Sequence, residues 1–160
     1  MEAVLDQAQD ELWEIPRDAK QLPWAEQRSW TFKTHLWFEQ DMLVVDLHDL
    51  NVKLARKVVK RLIRKADKWD LGCICFVTGV GKHSEDKATI RPMAIGLLQD
   101  ISEDKGWRLL SGTQGRLSVI LDEERAPLEV TAKLSRTMMF GVYIFLALIL
   151  LLFLRGLFIV

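Results

Sequence analysis

The chain holds 160 residues, 49% of them hydrophobic and 28% charged, with 22 basic side chains balancing 22 acidic ones. That length suits one ordinary domain plus an appendage, and the hydrophobic and aromatic content excludes a disordered polymer. Two cysteines exclude both a disulfide-scaffolded secreted domain and a four-cysteine zinc site.

The zero net charge hides a segregation. Residues 1–41 carry nine acids against four bases, residues 42–121 nine against fourteen, and residues 122–160 four of each. An acidic arm therefore precedes a basic middle, and a basic block is a candidate footprint for a polyanion.

Residues 1–41 read as an acidic, aromatic-rich extension that starts with a helix. Val4, Leu5, Ala8 and Leu12 recur at helical spacing, and Pro16 ends that pattern. Trp24, Trp30, Phe32, Trp37 and Phe38 follow in an irregular arm. These rings either cover an apolar flank of the main domain or offer a stacking platform for exposed bases.

Residues 42–121 form the main domain. Met42 to Leu47 is a short valine-rich run that suits a buried strand. Val52 to Trp69 is an amphipathic helix with Ala55, Val58, Val59, Leu62, Ile63, Ala66 and Trp69 on its apolar stripe. Its other face holds Lys53, Arg56, Lys57, Lys60, Arg61, Arg64, Lys65 and Lys68, with Asp67 the only acid. Such a face is solvated, meets phosphates, or reads anionic lipid. Gly72 to Val77 is a second buried strand, with Cys73 and Cys75 as small core residues sharing one of its faces. After a glycine loop, Ala88 to Ser102 is a helix with Pro92 in its first turn. Trp107 to Leu110 and Leu117 to Leu121 are the third and fourth strands, joined by a glycine turn at 111–115. The expected fold is α/β, a two-layer βαβαββ sandwich on a small mixed four-stranded sheet. Its first three strands run parallel through right-handed crossovers, and the last two form a hairpin.

Residues 122–137 read as a juxtamembrane linker. From Met138 to Leu154 seventeen residues carry no charge, which reaches about 26 Å as a helix. Arg155 can snorkel, so residues 138–160 are expected to be a single C-terminal transmembrane helix. Lys133 and Arg136 precede the span and only Arg155 follows it, which puts the soluble domain on the cytoplasmic side. The membrane is thus one expected partner, and two unpaired cysteines agree with a reducing compartment.

Three motifs fall at strand ends, where open α/β sheets place ligands. Asp46-Leu47-His48 follows the first strand, and strand alternation puts the carboxylate and the imidazole on one face, where the acid can fix the ring's tautomer. Thr78-Gly79-Val80-Gly81-Lys82-His83-Ser84 follows the second; its glycines let backbone N–H groups approach a phosphate and Lys82 supplies charge. Gly112-Thr113-Gln114-Gly115-Arg116 precedes the fourth. Each histidine has a structural reading as well, in turn or helix capping.

Joined in this order, the three motifs from Val44 to Leu121 resemble the small MutS-related (Smr) domain, whose pattern is D-L-H-G, then T-G-x-G or H-G-x-G, then a G-x-G turn before a V-x-L strand. Ile90-Arg91-Pro92 resembles the start of that family's second helix. The family's glycine after D-L-H is Asp49 here, a change expected to narrow the approach of a phosphate, and Ser111 replaces a common first glycine of the third motif. The resemblance implies binding of RNA or DNA, with endonuclease activity in several members. It casts Asp46, His48 and His83 as catalytic residues. Thr78, Gly79, Gly81, Lys82, Ser84, Gly112, Gly115 and Arg116 would contact phosphate, aided by Lys57, Arg61 and Arg64 of the basic helix. No cofactor and no metal ligand set are called for, although magnesium stays open. The alternatives are a non-catalytic, membrane-tethered module that binds RNA, DNA or a ribosome, and an adaptor that reads anionic head groups.

Overall fold

The computed structural model describes residues 1–79, 90–112 and 115–127. The expected span at 138–160, with the linker beyond 127, lies outside the described residues, among which no helix is long and apolar enough to cross a membrane.

The chain opens with α1 (Glu2–Glu11) and a short α2 (Ile15–Ala19). Pro16 sits in the first turn of α2, so it opens a second helix as well as closing the first pattern. One turn of helix, α3 (Phe32–His35), leads into β1 (Leu36–Glu39). The core of the domain then follows: β2 (Met42–Asp46), α4 (Val52–Lys65) with a 3₁₀ turn at Ala66–Lys68, β3 (Cys73–Val77), α5 (Ile90–Lys105), β4 (Arg108–Ser111) and β5 (Arg116–Ile120).

The sheet has five strands in the order β1-β2-β3-β5-β4, not four. The additional strand, β1, pairs antiparallel with β2 and is built from Trp37 and Phe38 of the presumed irregular arm. Gln40 and Asp41 turn the chain between them with φ of 48° and 63°. Two consecutive left-handed residues are the mark of a type I′ hairpin, whose twist matches the strands it joins. β2 and β3 run parallel, and β5 is antiparallel to both β3 and β4. The expected common direction of β2, β3 and β4 therefore holds, with β5 inserted between the last two.

Both crossovers advance in the same direction across the sheet. Right-handed connections then put α4 and α5 on one face, and the two helices touch. Leu43, Val45, Ile74, Phe76, Leu117 and Val119 face them and share one core with Val58, Val59, Leu62, Ala94 and Leu98. Asn51 caps α4 by accepting the Leu54 N–H at 2.9 Å, which fixes where the helix leaves the loop after β2. The arm belongs to this core: Ala8, Leu12, Ile15, Ala19 and Trp30 are fully buried in it. Packing is thus the reading that the structure favours for Trp30.

Across the other face, Arg116 of β5 grips Glu39 of β1 with two bonds of 2.8 and 3.2 Å. That guanidinium holds the Glu39 carboxyl below its ordinary range. Cys73 and Cys75 are free and fully buried on this face. Burial pushes the Cys73 thiol up to about 12 and raises Cys75 as well, so both are inert packing groups at neutral pH.

Candidate nucleic-acid site

The carboxyl ends of β2 and β3 and the turn before β5 are tied together by backbone bonds. Leu47 N–H donates to Val77 O at 2.8 Å, which extends the parallel ladder one residue past β2. Thr78 N–H donates to Gly115 O at 2.9 Å, and its hydroxyl donates to the same carbonyl at 2.8 Å. Parts of the three motifs thus meet at one end of the sheet. A separate cleft lined by Val4, Asp41, Asp70, Leu71, Gly72 and Arg125 lies at the opposite strand ends and holds none of these motifs.

Asp46 Oδ1 accepts the His48 backbone N–H at 2.8 Å and lies 2.7 Å from His48 Nδ1. A carboxylate at that distance keeps the proton on Nδ1 and leaves the Nε2 lone pair free. The His48 side chain is about half exposed, at 53%. It is directed at Gly79: a Cβ there would lie 2.7 Å from Nε2, and Gly79 has a φ of +72°. Gly115, at φ +78°, is equally constrained, since a Cβ would meet Gly79 O at 2.6 Å. Both turns therefore need glycine, for close approach as well as for backbone conformation.

The arm supports the loop that carries His48. Trp30 Nε1–H donates to Asp46 O at 2.6 Å, and Trp24 Nε1–H donates to Asp49 O at 3.0 Å. Asp49 has a φ of +48°, the conformation that a glycine takes readily. Its carboxylate is engaged by the arm, with His35 Nε2 at 3.2 Å and Arg28 Nε at 3.6 Å. The side chain expected to crowd an incoming phosphate is instead bound to a cation and an imidazole, and Trp30 stacks on His35 at 5.5 Å.

Arg91, in the first turn of α5, is the residue that sequence reasoning left out of the site. Its guanidinium donates to Ser111 Oγ at 2.8 Å, to Thr78 Oγ1 at 3.4 Å and to Gly112 O at 3.5 Å. It braces the loop after β3 against the β4–β5 turn and adds positive charge there. The Ile90-Arg91-Pro92 stretch was the available signal, read only as a helix start.

Other candidate residues are placed elsewhere. Arg116 is paired with Glu39 on the far face of the sheet. Lys57 pairs with Glu14 and with Asp18 at 3.5 Å, and Arg61 reaches Glu14 at 2.6 Å and Glu11 O at 2.9 Å. Their charge is neutralised by the acidic arm, so the open polyanion-binding face expected at these two positions is not there. Arg64 is exposed. Gly81, Lys82, His83 and Ser84 lie outside the described residues, as do Thr113 and Gln114. Among the described residues, no three His, Cys, Asp or Glu side chains gather as a metal-binding group.

Comparison with known proteins agrees with the motif geometry. The family model of the Smr domain matches residues 45–121, from the end of β2 through the residue after β5. No curated protein and no solved structure matches the chain. Domains of this family are associated with nucleic-acid binding and nicking endonuclease activity. The matched segment holds all three strand-end motifs, and the chain carries an Smr domain at residues 45–121.

Proposed function

We propose that the protein is an Smr-type endonuclease that cleaves phosphodiester bonds of RNA or DNA and is tethered to a membrane by residues 138–160. The observation that carries the catalytic part is the 2.7 Å contact between Asp46 Oδ1 and His48 Nδ1, with Nε2 turned toward the Gly79 turn. In this reading Nε2 takes the proton from the nucleophile. On RNA that nucleophile is the neighbouring 2′-OH: its oxygen bonds to phosphorus, the 5′-oxygen leaves, and a 2′,3′-cyclic phosphate results. His83 returns a proton to the leaving oxygen. Backbone N–H groups of Gly79 to Gly81 and Lys82 stabilise the charge that develops on the phosphoryl oxygens, with Arg91 adding positive potential. Support for the tether comes from the uncharged seventeen-residue run alone.

The test uses the full chain in detergent with labelled single-stranded RNA, duplex RNA and supercoiled DNA, each with magnesium and with chelator. Cleavage that falls about 10²- to 10⁴-fold in His48→Ala, the range for losing a general base, is the expected result. The chelator arms decide whether magnesium takes part. Salt-sensitive binding without cleavage would overturn the enzyme and leave the non-catalytic tethered module, for nucleic acid or a ribosome.

A further inference from the structure

The basic residues of α4 fall into two sets. Lys57, Arg61 and Lys65 lie on the flank covered by the arm, where they pair with Glu14, Asp18 and Glu11. Beside them run Lys53, Arg56, Lys60 and Arg64, none of which has an ion-pair partner among the described residues; three are exposed and Lys60 is partly so. At about 100° per residue these four fall within roughly 80° of the helix circumference, and from first to last they span about 16 Å. They form a line of cations, not a broad patch.

The line has a defined origin. Lys53 is in the first turn of α4, two residues after the Asn51 cap and five past His48. The stripe therefore begins at the strand ends that carry the candidate site and runs away from them along the helix. Its neighbouring flank is already engaged, because Lys57, Arg61 and Lys65 pair with acids of helices that Ala8, Leu12, Ile15 and Ala19 anchor in the core.

We propose that Lys53, Arg56, Lys60 and Arg64 form a track for the sugar–phosphate backbone of a nucleic-acid strand that enters or leaves the His48 site. This rests on the nucleic-acid reading above and adds the path and footprint of the strand. At about 3.4 Å per phosphate along one strand of a duplex, the track faces roughly four or five phosphates. A strand fits this surface better than a bilayer does. A helix that lies in a membrane carries apolar side chains beside its bases, whereas the apolar face of α4 is buried against the sheet. The only large hydrophobic residues exposed among the described ones, Met1 and Trp13, are not on this helix.

Kd for a labelled single-stranded RNA and for a duplex DNA would be measured on the full chain in detergent from about 50 to 200 mM salt, by fluorescence anisotropy. The variant with Lys53, Arg56, Lys60 and Arg64 all changed to Gln is expected to keep its unfolding midpoint. Its slope of log Kd against log salt should be shallower by about 3, at roughly 0.7–0.9 per lost phosphate contact. Arg64→Gln alone should change that slope by about 0.8, which keeps the test open if the fourfold variant folds poorly. Lys57→Gln with Arg61→Gln should lower the midpoint and leave the slope alone. An unchanged slope in the fourfold and single variants would overturn the track while leaving nucleic-acid binding intact. Absence of any binding by the wild type would sink the functional reading itself. Vesicles with and without phosphatidylserine form the last arm. Loss of the phosphatidylserine-dependent binding in the fourfold variant, with RNA binding unaffected, would assign the stripe to lipid and overturn the proposal.

Discussion

Gly79 shows how little room the site leaves at the scale of one residue. A methyl group there would sit against His48 Nε2, on a backbone whose φ of +72° L-residues rarely adopt. Gly79→Ala is expected to cost about 1–3 kcal/mol of stability from strain and to abolish the cleavage proposed for His48, read by urea unfolding and the nuclease assay together. Asp49 poses the opposite question, since it already tolerates a left-handed φ. Asp49→Asn keeps a side chain suited to that conformation but removes the charge that Arg28 and His35 meet. A loss of about 1–3 kcal/mol is expected, the range for bonds to a charged, partly buried group. A neutral result in urea unfolding would mean that the carboxylate is a spectator. The Asp46–His48 pair and the Gly79 position were legible at this scale because a carboxylate beside an imidazole, and a backbone pressed against that ring, each demand one kind of residue. Arg91 was not, because an arginine at a helix start is common, and its value comes only from the Ser111 and Thr78 hydroxyls brought to it by the fold.

Among the elements, α4 and the two central strands were legible, and the reason is periodicity. Val58, Val59, Leu62 and Ile63 recur on one stripe and are all buried, while Leu43 to Val45 and Ile74 to Phe76 form the continuous apolar runs of parallel strands. The arm was less legible. Trp37 and Phe38 look irregular until β1 is seen, and Gln-Asp is not the Asn-Gly pair that announces a type I′ turn. In sequence the arm reads as having one helix, its acids not paired with the basic helix, although Glu11 and Glu14 complement Lys65, Lys57 and Arg61. That neutralisation is a tertiary fact, invisible to a count of charges along the chain. It follows that the arm is held chiefly by its apolar side. Leu12 is fully buried, and Leu12→Ala is expected to cost about 2–5 kcal/mol in urea unfolding. Glu11→Gln, at a partly exposed ion pair, should cost under about 1 kcal/mol.

For the molecule as a whole, acid should loosen the structure at two places. The carboxyls of Glu39 and Glu14 are held below their ordinary value of 4.5, mainly by hydrogen bonds from Arg116 and Lys57 respectively. A depressed carboxylate contributes stability that is present above its unfolded value and lost as pH falls through its folded one. Thermal midpoints should therefore fall below about pH 4.5, and Glu39→Gln, measured alongside, should flatten the drop. Thiol chemistry offers a second global readout. With Cys73 held near 12 and Cys75 also raised by burial, neither should react with iodoacetamide until urea unfolds the chain; rapid native alkylation would mean that this face of the sheet opens. The extra strand carries one further consequence, for anyone who trims the chain. The Smr match begins at residue 45, inside β2, and a fragment started at the head of that strand, Met42, lacks β1 and its ladder to β2. The exposed edge would then be Met-Leu-Val-Val, uncharged and valine-rich, with unpaired N–H and C=O groups along one side. Such a fragment would recruit a second copy of itself to complete the sheet, so its insolubility would report a missing hairpin partner and not an unfoldable domain.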